Sequence, residues 1–151
     1  MKDSSIINSA TKADLVAITE LLKKTNLPPD GIESHLENFL IIREKSPSKK
    51  SDQIIGCAGL EIYGKSALLR SVAVHPDFQK EGYGTLLVSR IIEIARRMNI
   101  TSLFLLTDTA EDYFKKKGFN KILREQVPND MKKSVEFTTL CTSSPVMMKE
   151  I

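Results

Sequence analysis

Between Ser66 and Thr107 the chain reads as two strongly apolar runs joined by one amphipathic stretch. "SALLRSVAV" comes first, then "TLLVSRIIEIARRMN", then "TSLFLLT". A run as apolar as the first suits a central strand covered on both faces. The middle stretch repeats apolar residues at helical spacing, and Leu86, Leu87, Ile91, Ile94 and Met98 are predicted on one side. A strand, a helix and a strand in that order form a crossover unit with parallel strands. All-α and all-β folds are therefore excluded, and one helix starts directly after a central strand.

The flanks supply the rest of a layered fold. "SSIIN" is a short strand. Thr11 can cap a helix over "TKADLVAITELLKKTNL", with Leu15, Ile18, Leu21 and Leu22 facing inward and Pro28-Pro29 ending it. "DGIESHLENF" predicts a shorter helix capped by Asp30. "FLIIREK" and "QIIGCAGLEIYG" are strands, the second with a bulge expected at Gly56 or Gly59. Ser46 to Asp52 reads as a polar hairpin loop, and the stretch from Ser46 to Ser51 as the floppy part of the chain. After the crossover unit come a two-turn helix "AEDYFKKKG" closed by Gly118, a strand "FNKILRE", and a short helix or irregular connection over "VPNDMKKSVEFTTL". "SPVMMKEI" is the last strand. The class is α/β (α+β), with a mixed central sheet of about six to seven strands flanked by about four helices.

A chain of 151 residues fits a single domain over 1–151. With 41% apolar and 27% charged residues the balance is that of a water-soluble globular protein. The net charge of +3 comes from short basic runs scattered among acids, so no nucleic-acid partner is expected. No apolar run is long enough for a membrane span, and the N-terminus is polar after Met1. A cytoplasmic location, without membrane association, follows as the expectation. Cys57 and Cys141 stand far apart in apolar contexts and read as buried thiols, with no metal site.

The turn "HPDFQKEGYG" lies between the central strand and the long helix. Unpaired N–H groups and the positive end of the helix dipole make such a point an anion site. Gly82 and Gly84 leave the backbone uncovered and can take positive φ, so that consecutive N–H groups converge on one phosphate. Gln79, Lys80 and Thr85 add side-chain donors. Neither GxxxxGK[ST] nor GxGxxG is present. The pattern is Q-x-x-G-x-G, and an ordinary tight strand–helix turn would use the same glycines.

The wider context "LLRSVAVHPDFQKEGYGTLLVSRIIEIA" resembles the acetyl-coenzyme A site of the GNAT N-acetyltransferase superfamily. That motif, V-x-P-x-[YF]-[QR]-x-x-G-x-[GA], is matched by Val74, Pro76, Phe78, Gln79, Gly82 and Gly84. "LLTDTAEDYFKKKGF" is similar to the superfamily's second signature, a short helix ending in Gly-Phe. Together with "ALLRSVAV" and "VEFTTLCTSSPVMMK" it resembles the small arsenic-resistance-associated N-acetyltransferases, relatives of the acetyltransferase domain of N-acetylglutamate synthase. Thr142 stands where their tail usually has Pro.

The resemblance implies direct transfer from acetyl-CoA to the primary amine of a small molecule, an amino acid or amino-acid analogue, by a monomer or homodimer. It also implies the site. The loop amides of Gln79, Lys80, Glu81, Gly82, Tyr83, Gly84 and Thr85 would bind the pyrophosphate. The main chain of Val72, Ala73 and Val74 would pair with the pantetheine arm, and an N–H there would polarise the thioester carbonyl. Glu61 is the candidate base, against the plain reading of an exposed strand glutamate. Arg70, sharing the face of Val72 and Val74 by period two, would either grip a substrate anion or pair with Glu61. Phe114 occupies the slot where many relatives place an acidic Tyr beside the cofactor sulfur, and Tyr113 points elsewhere. His75 at the strand end suits a local structural role, and Tyr83 in the loop a packing or cofactor-edge role. Stand-alone glutamate acetylation and a non-catalytic acetyl-CoA-binding regulatory module remain the alternatives.

Overall fold

The computed structural model describes residues 5–44, 53–140 and 143–151. The predicted Ser46–Asp52 loop and Cys141 lie outside them. Seven strands hydrogen-bond in the order β1-β2-β3-β4-β5-β7-β6. They are β1 Ser5–Ser9, β2 Phe39–Glu44, β3 Gln53–Tyr63, β4 Ser66–Val74, β5 Ser102–Leu106, β6 Asn120–Ile122 and β7 Val146–Glu150. Three α-helices accompany them: α1 Leu15–Lys24, α2 Tyr83–Arg97 and α3 Glu111–Lys116. The predicted mixed sheet is present, with β4 parallel to β5 and antiparallel pairs β1–β2, β2–β3, β5–β7 and β6–β7.

Two compact units divide the chain, Met1–Leu60 with Ser71–Ile92, and Glu61–Arg70 with Glu93–Ile151. In the first, Ile18, Leu21 and Leu22 of α1 pack with Ile32, Leu36, Phe39, Ile41, Cys57 and Ala73. The helix predicted from Thr11 begins with a 3-10 turn, Lys12–Asp14. The Asp14 carboxylate accepts the Thr11 N–H at 2.8 Å and is paired with Arg43 of β2. This ties the start of α1 to the sheet. The shorter predicted helix is a 3-10 segment, Ile32–Asn38. Its N-cap is Gly31 at φ 79°, not Asp30, because the chain enters through the left-handed region that glycine tolerates.

Strand β3 holds the expected irregularity next to Gly56. Ile42 pairs with Gly56 and Arg43 with Ile54, so Ile55 is the extra residue. Gly59 serves another purpose, since Phe39 pairs with it across the strands and lays its ring over the space a Cβ would fill. The buried stripe of α2 is Leu87, Val88, Ile91, Ile92 and Ala95. This differs from the predicted face. Leu86 falls on the opposite side at about 100° per residue, and Met98 lies beyond the helix end with 43% exposure.

In the second unit Leu68, Phe104, Val127, Met131, Phe137 and Val146 form the core. The connection before β7, left open by the sequence, contains 3-10 turns at Arg124–Gln126 and Met131–Lys133 and a π-helical turn, Glu136–Leu140. The parallel register covers Ser66–Leu68 of β4 against Ser102–Phe104 of β5. Strand β4 continues for six residues past that register, to Val74.

Candidate active site

Strand β4 gives its residues up to Arg70 to the second unit and those from Ser71 to the first. Ser71 has φ 58°, inside a strand and without glycine's freedom. Its carbonyl accepts the buried Cys57 thiol at 3.2 Å. A left-handed residue interrupts the period-two alternation, because it adds a step that does not flip the side chain. The period-two count that links Arg70 with Val72 and Val74 runs through this left-handed residue. Burial also changes at this point. Residues 67–71 are all buried, whereas Val72 and Val74 are half-buried around a buried Ala73.

Beyond Val74 the chain makes the predicted turn into α2. His75 accepts the Asp77 N–H on Nδ1 at 3.1 Å and donates its own N–H to the Ile55 carbonyl at 2.8 Å. It is a local structural residue, as expected. Phe78 sits edge-on between His75 and Tyr83, and Tyr83 is 1% exposed. The Tyr83 side chain therefore belongs to the core, and only its main chain can serve a ligand. Gln79 donates its side-chain amide to the Val74 carbonyl at 3.0 Å. That corrects two expectations: this amide is committed to the strand end instead of reaching forward, and the Val74 carbonyl is already bonded.

The left-handed residues of the turn are Lys80 (φ 67°) and Gly82 (φ 91°), while Gly84 is helical within α2. Nothing lies within 4 Å of a Cβ added at Gly82. Lys80, Glu81, Gly82 and Thr85 are exposed. The backbone at Gly82, just before α2, is thus bare. This surface suits the oxygens of a pyrophosphate, so the residues present fit an acetyl-CoA co-substrate.

In the second unit Glu61 of β3 and Arg70 of β4 are both buried. Arg70 Nη1 donates to Glu61 Oε2 at 2.9 Å, the pairing the sequence left as the alternative to a substrate grip. The guanidinium is also engaged on its other edge, with Nε 3.3 Å from Glu136 Oε1. The Tyr63 phenol donates to Glu61 Oε1 at 2.5 Å. Ser134 bonds the same phenol and accepts the Glu136 N–H at 3.2 Å on its hydroxyl. Glu61, Arg70, Glu136, Ser134 and Tyr63 thereby close a ring of hydrogen bonds. Burial and the bond to Glu61 push the Tyr63 phenol up to about 12, so it stays protonated as donor. Glu61 is thus no exposed strand glutamate.

Sequence reading did not find Tyr63, Ser134 or Glu136. Glu136 stands in the tail motif "VEFTTL", but nothing local to it indicates that it meets Arg70. Phe114 is buried against Tyr113 and Phe119 at ring-centroid distances of 5.1 and 5.6 Å. It offers no acid. Tyr113 is half-buried beneath the Lys117 ammonium. Among the described residues no His, Cys, Asp and Glu group could hold a metal ion.

Residues 35–121, more than half of the chain, match the model of the acetyltransferase (GNAT) domain. This chain belongs to the GNAT acetyltransferase family. It is similar to the amino-acid acetyltransferase of Aeromonas salmonicida, with 30% identity over 80% of this chain and 28% of that protein. This GNAT domain thus spans under a third of that relative's length. Its fold is similar to N-acetylglutamate synthase from Neisseria gonorrhoeae, solved with coenzyme A and N-acetyl-glutamate, at a TM-score of 0.81 and 23% identity. That match covers 99% of this chain and 36% of the other. It is also similar to Rv2747 from Mycobacterium tuberculosis, solved with CoA, at a TM-score of 0.77 and 20% identity, covering 97% and 99%. No helix among the described residues is long and apolar enough to cross a membrane.

Proposed function

We propose that this GNAT domain transfers an acetyl group from acetyl-CoA to the primary amine of an amino acid or amino-acid analogue. The single observation that carries the reading is the uncovered backbone of the Gly82 turn at the head of α2. The amides from Gly82 to Thr85 hold the pyrophosphate, with Lys80 adding charge. The main chain of Val72 to Val74 aligns the pantetheine arm, and a peptide N–H there stabilises charge developing on the thioester oxygen. Glu61 takes the amine's proton, directly or through a water, so that the nitrogen lone pair can attack the carbonyl carbon. The carbon–sulfur bond then breaks as the nitrogen gives its second proton to water. Phe114 cannot supply a proton, so the thiolate takes one from water. Arg70 holds Glu61 in place, and a substrate anion would have to share its guanidinium with two carboxylates.

The kinship with amino-acid acetyltransferases and N-acetylglutamate synthase supports glutamate as one acceptor. The tail from Val135 to Lys149 supports an arsinic or phosphinic analogue of glutamate, as in the arsenic-resistance-associated enzymes. Demand for acetyl-CoA fits work in the cytoplasm, as a monomer or homodimer. The test is a panel of amino acids and both analogues with acetyl-CoA, following released CoA with a thiol reagent. Turnover with any member supports the reading and names the acceptor. Acetyl-CoA binding by calorimetry without release across the whole panel would overturn it in favour of a regulatory module.

A further inference from the structure

The ring of Glu61, Arg70, Glu136, Ser134 and Tyr63 contains more than a base and its partner. A single guanidinium serves two carboxylates, through Nη1 to Glu61 and Nε to Glu136. The side chains of Arg70, Glu61 and Glu136 are only 1%, 1% and 9% exposed, so water screens them little. Glu61 is approached on both oxygens, by Arg70 on Oε2 and by Tyr63 on Oε1. Glu136 opens a π-helical turn, a local form that often marks functional sites, and its N–H is fixed by Ser134.

We propose that Glu136 is a positioning residue of the transfer reaction, which governs through Arg70 how Glu61 is held and when it carries a proton. The inference rests on Glu61 as the proton acceptor. A base paired with an arginine alone is a poor base, because the cation favours the carboxylate form. A second carboxylate on the same guanidinium takes part of that attraction away and returns basicity to Glu61. Tyr63 acts in the other sense, since its phenol proton stabilises the charged form. Glu61 is bonded by Tyr63 of its own strand and by Arg70 of β4, and Arg70 in turn meets Glu136 of the π-helical turn.

Two substitutions separate these effects. Glu136→Gln keeps an oxygen for the Arg70 Nε–H and removes the charge, so Glu61 should titrate at lower pH, by about one unit. Tyr63→Phe removes a hydrogen bond to the carboxylate, so Glu61 should titrate at higher pH. The measurement is a carbon-13 NMR titration of the assigned Glu61 carboxyl in the whole chain, for wild type and both variants. The acid limb of kcat/KM with acetyl-CoA and L-glutamate as the probe acceptor is read beside it. Opposite shifts, followed by the acid limb, support the proposal. Shifts of one sign in both variants, or none, overturn it, and a merely structural ring would leave the acid limb unmoved. Opposite NMR shifts with an unmoved pH–rate profile overturn Glu61 as the proton acceptor and leave the charge control standing. Should L-glutamate give no turnover, the NMR titration alone decides the charge control.

Discussion

Gly59→Ala should damage this fold more than any comparably small change, and the structure sets the scale. A Cβ at Gly59 would lie 2.3, 2.4 and 2.5 Å from three ring carbons of Phe39. Carbon atoms pack at roughly 3.5–4.0 Å, so each contact falls short by about 1 Å or more. Phe39 cannot swing away cheaply. It is 1% exposed and packed among Ile18, Leu22, Ile32 and Ile41. Overpacking of a tight core costs about 1–3 kcal/mol, and this geometry belongs at the upper end. For a chain of this length about 3 kcal/mol lowers Tm by about 6–12 °C. Thermal unfolding followed by circular dichroism reads it directly. In a Phe39→Leu background the same Gly59→Ala step should cost less than half as much, because the clashing ring atoms are gone. A Tm within about 2 °C of wild type, or equal costs in both backgrounds, would refute the packing argument.

Three further outcomes are expected. Arg70→Ala leaves Glu61 and Glu136 buried without their shared guanidinium, and should lower stability in urea by about 3–5 kcal/mol. Arg70→Lys should recover little, since one ammonium cannot serve both edges. Gly82→Ala meets no neighbour, so its cost is that of holding φ 91° alone, about 1–2 kcal/mol. Gly82→Asn should cost less, and a melt and acetyl-CoA calorimetry equal to wild type for the Ala variant would show that the left-handed turn is not needed. Asp14 has a lowered pKa. Burial by itself pushes it up, but the Thr11 amide and the Arg43 guanidinium outweigh that. Its folded value lies below its unfolded one, so its contribution is present above the unfolded pKa and fades as pH falls through the folded value. The stability gap between wild type and Asp14→Asn, measured by urea unfolding at pH 6 and again in strong acid, should therefore shrink towards the acid end.

Much of the fold could be read from the chain because its signals are local. Near-continuous apolar runs marked β4 and β5, and apolar residues at period 3.6 marked α1 and α2. The Gly-rich turn was placed correctly for the same reason, as a helix start directly after a central strand. The misreadings came where a local pattern fits two outcomes. Ile32–Asn38 carries helical spacing, yet entry through Gly31 at φ 79° leads into a 3-10 segment. Leu86 and Met98 are as apolar as their neighbours, but only packing decides which stripe of α2 is covered. What the count along β4 could not supply is the left-handed Ser71 beside Arg70.

The sequence by itself determined the order of elements, the parallel crossover and the bare backbone of the turn, because these follow from side-chain periodicity and from glycine's missing Cβ. Only the tertiary structure decided that Arg70 is shared between Glu61 and Glu136, that Tyr63 and Ser134 complete the ring, and that Gln79 turns back to Val74. The physical reason is sequence distance. Glu136 lies 66 residues beyond Arg70 (136 − 70), and no local periodicity records such a meeting. The meeting exists because β7 pairs with β5 and draws the preceding π-helical turn in with it, and a buried guanidinium there must be met by carboxylates.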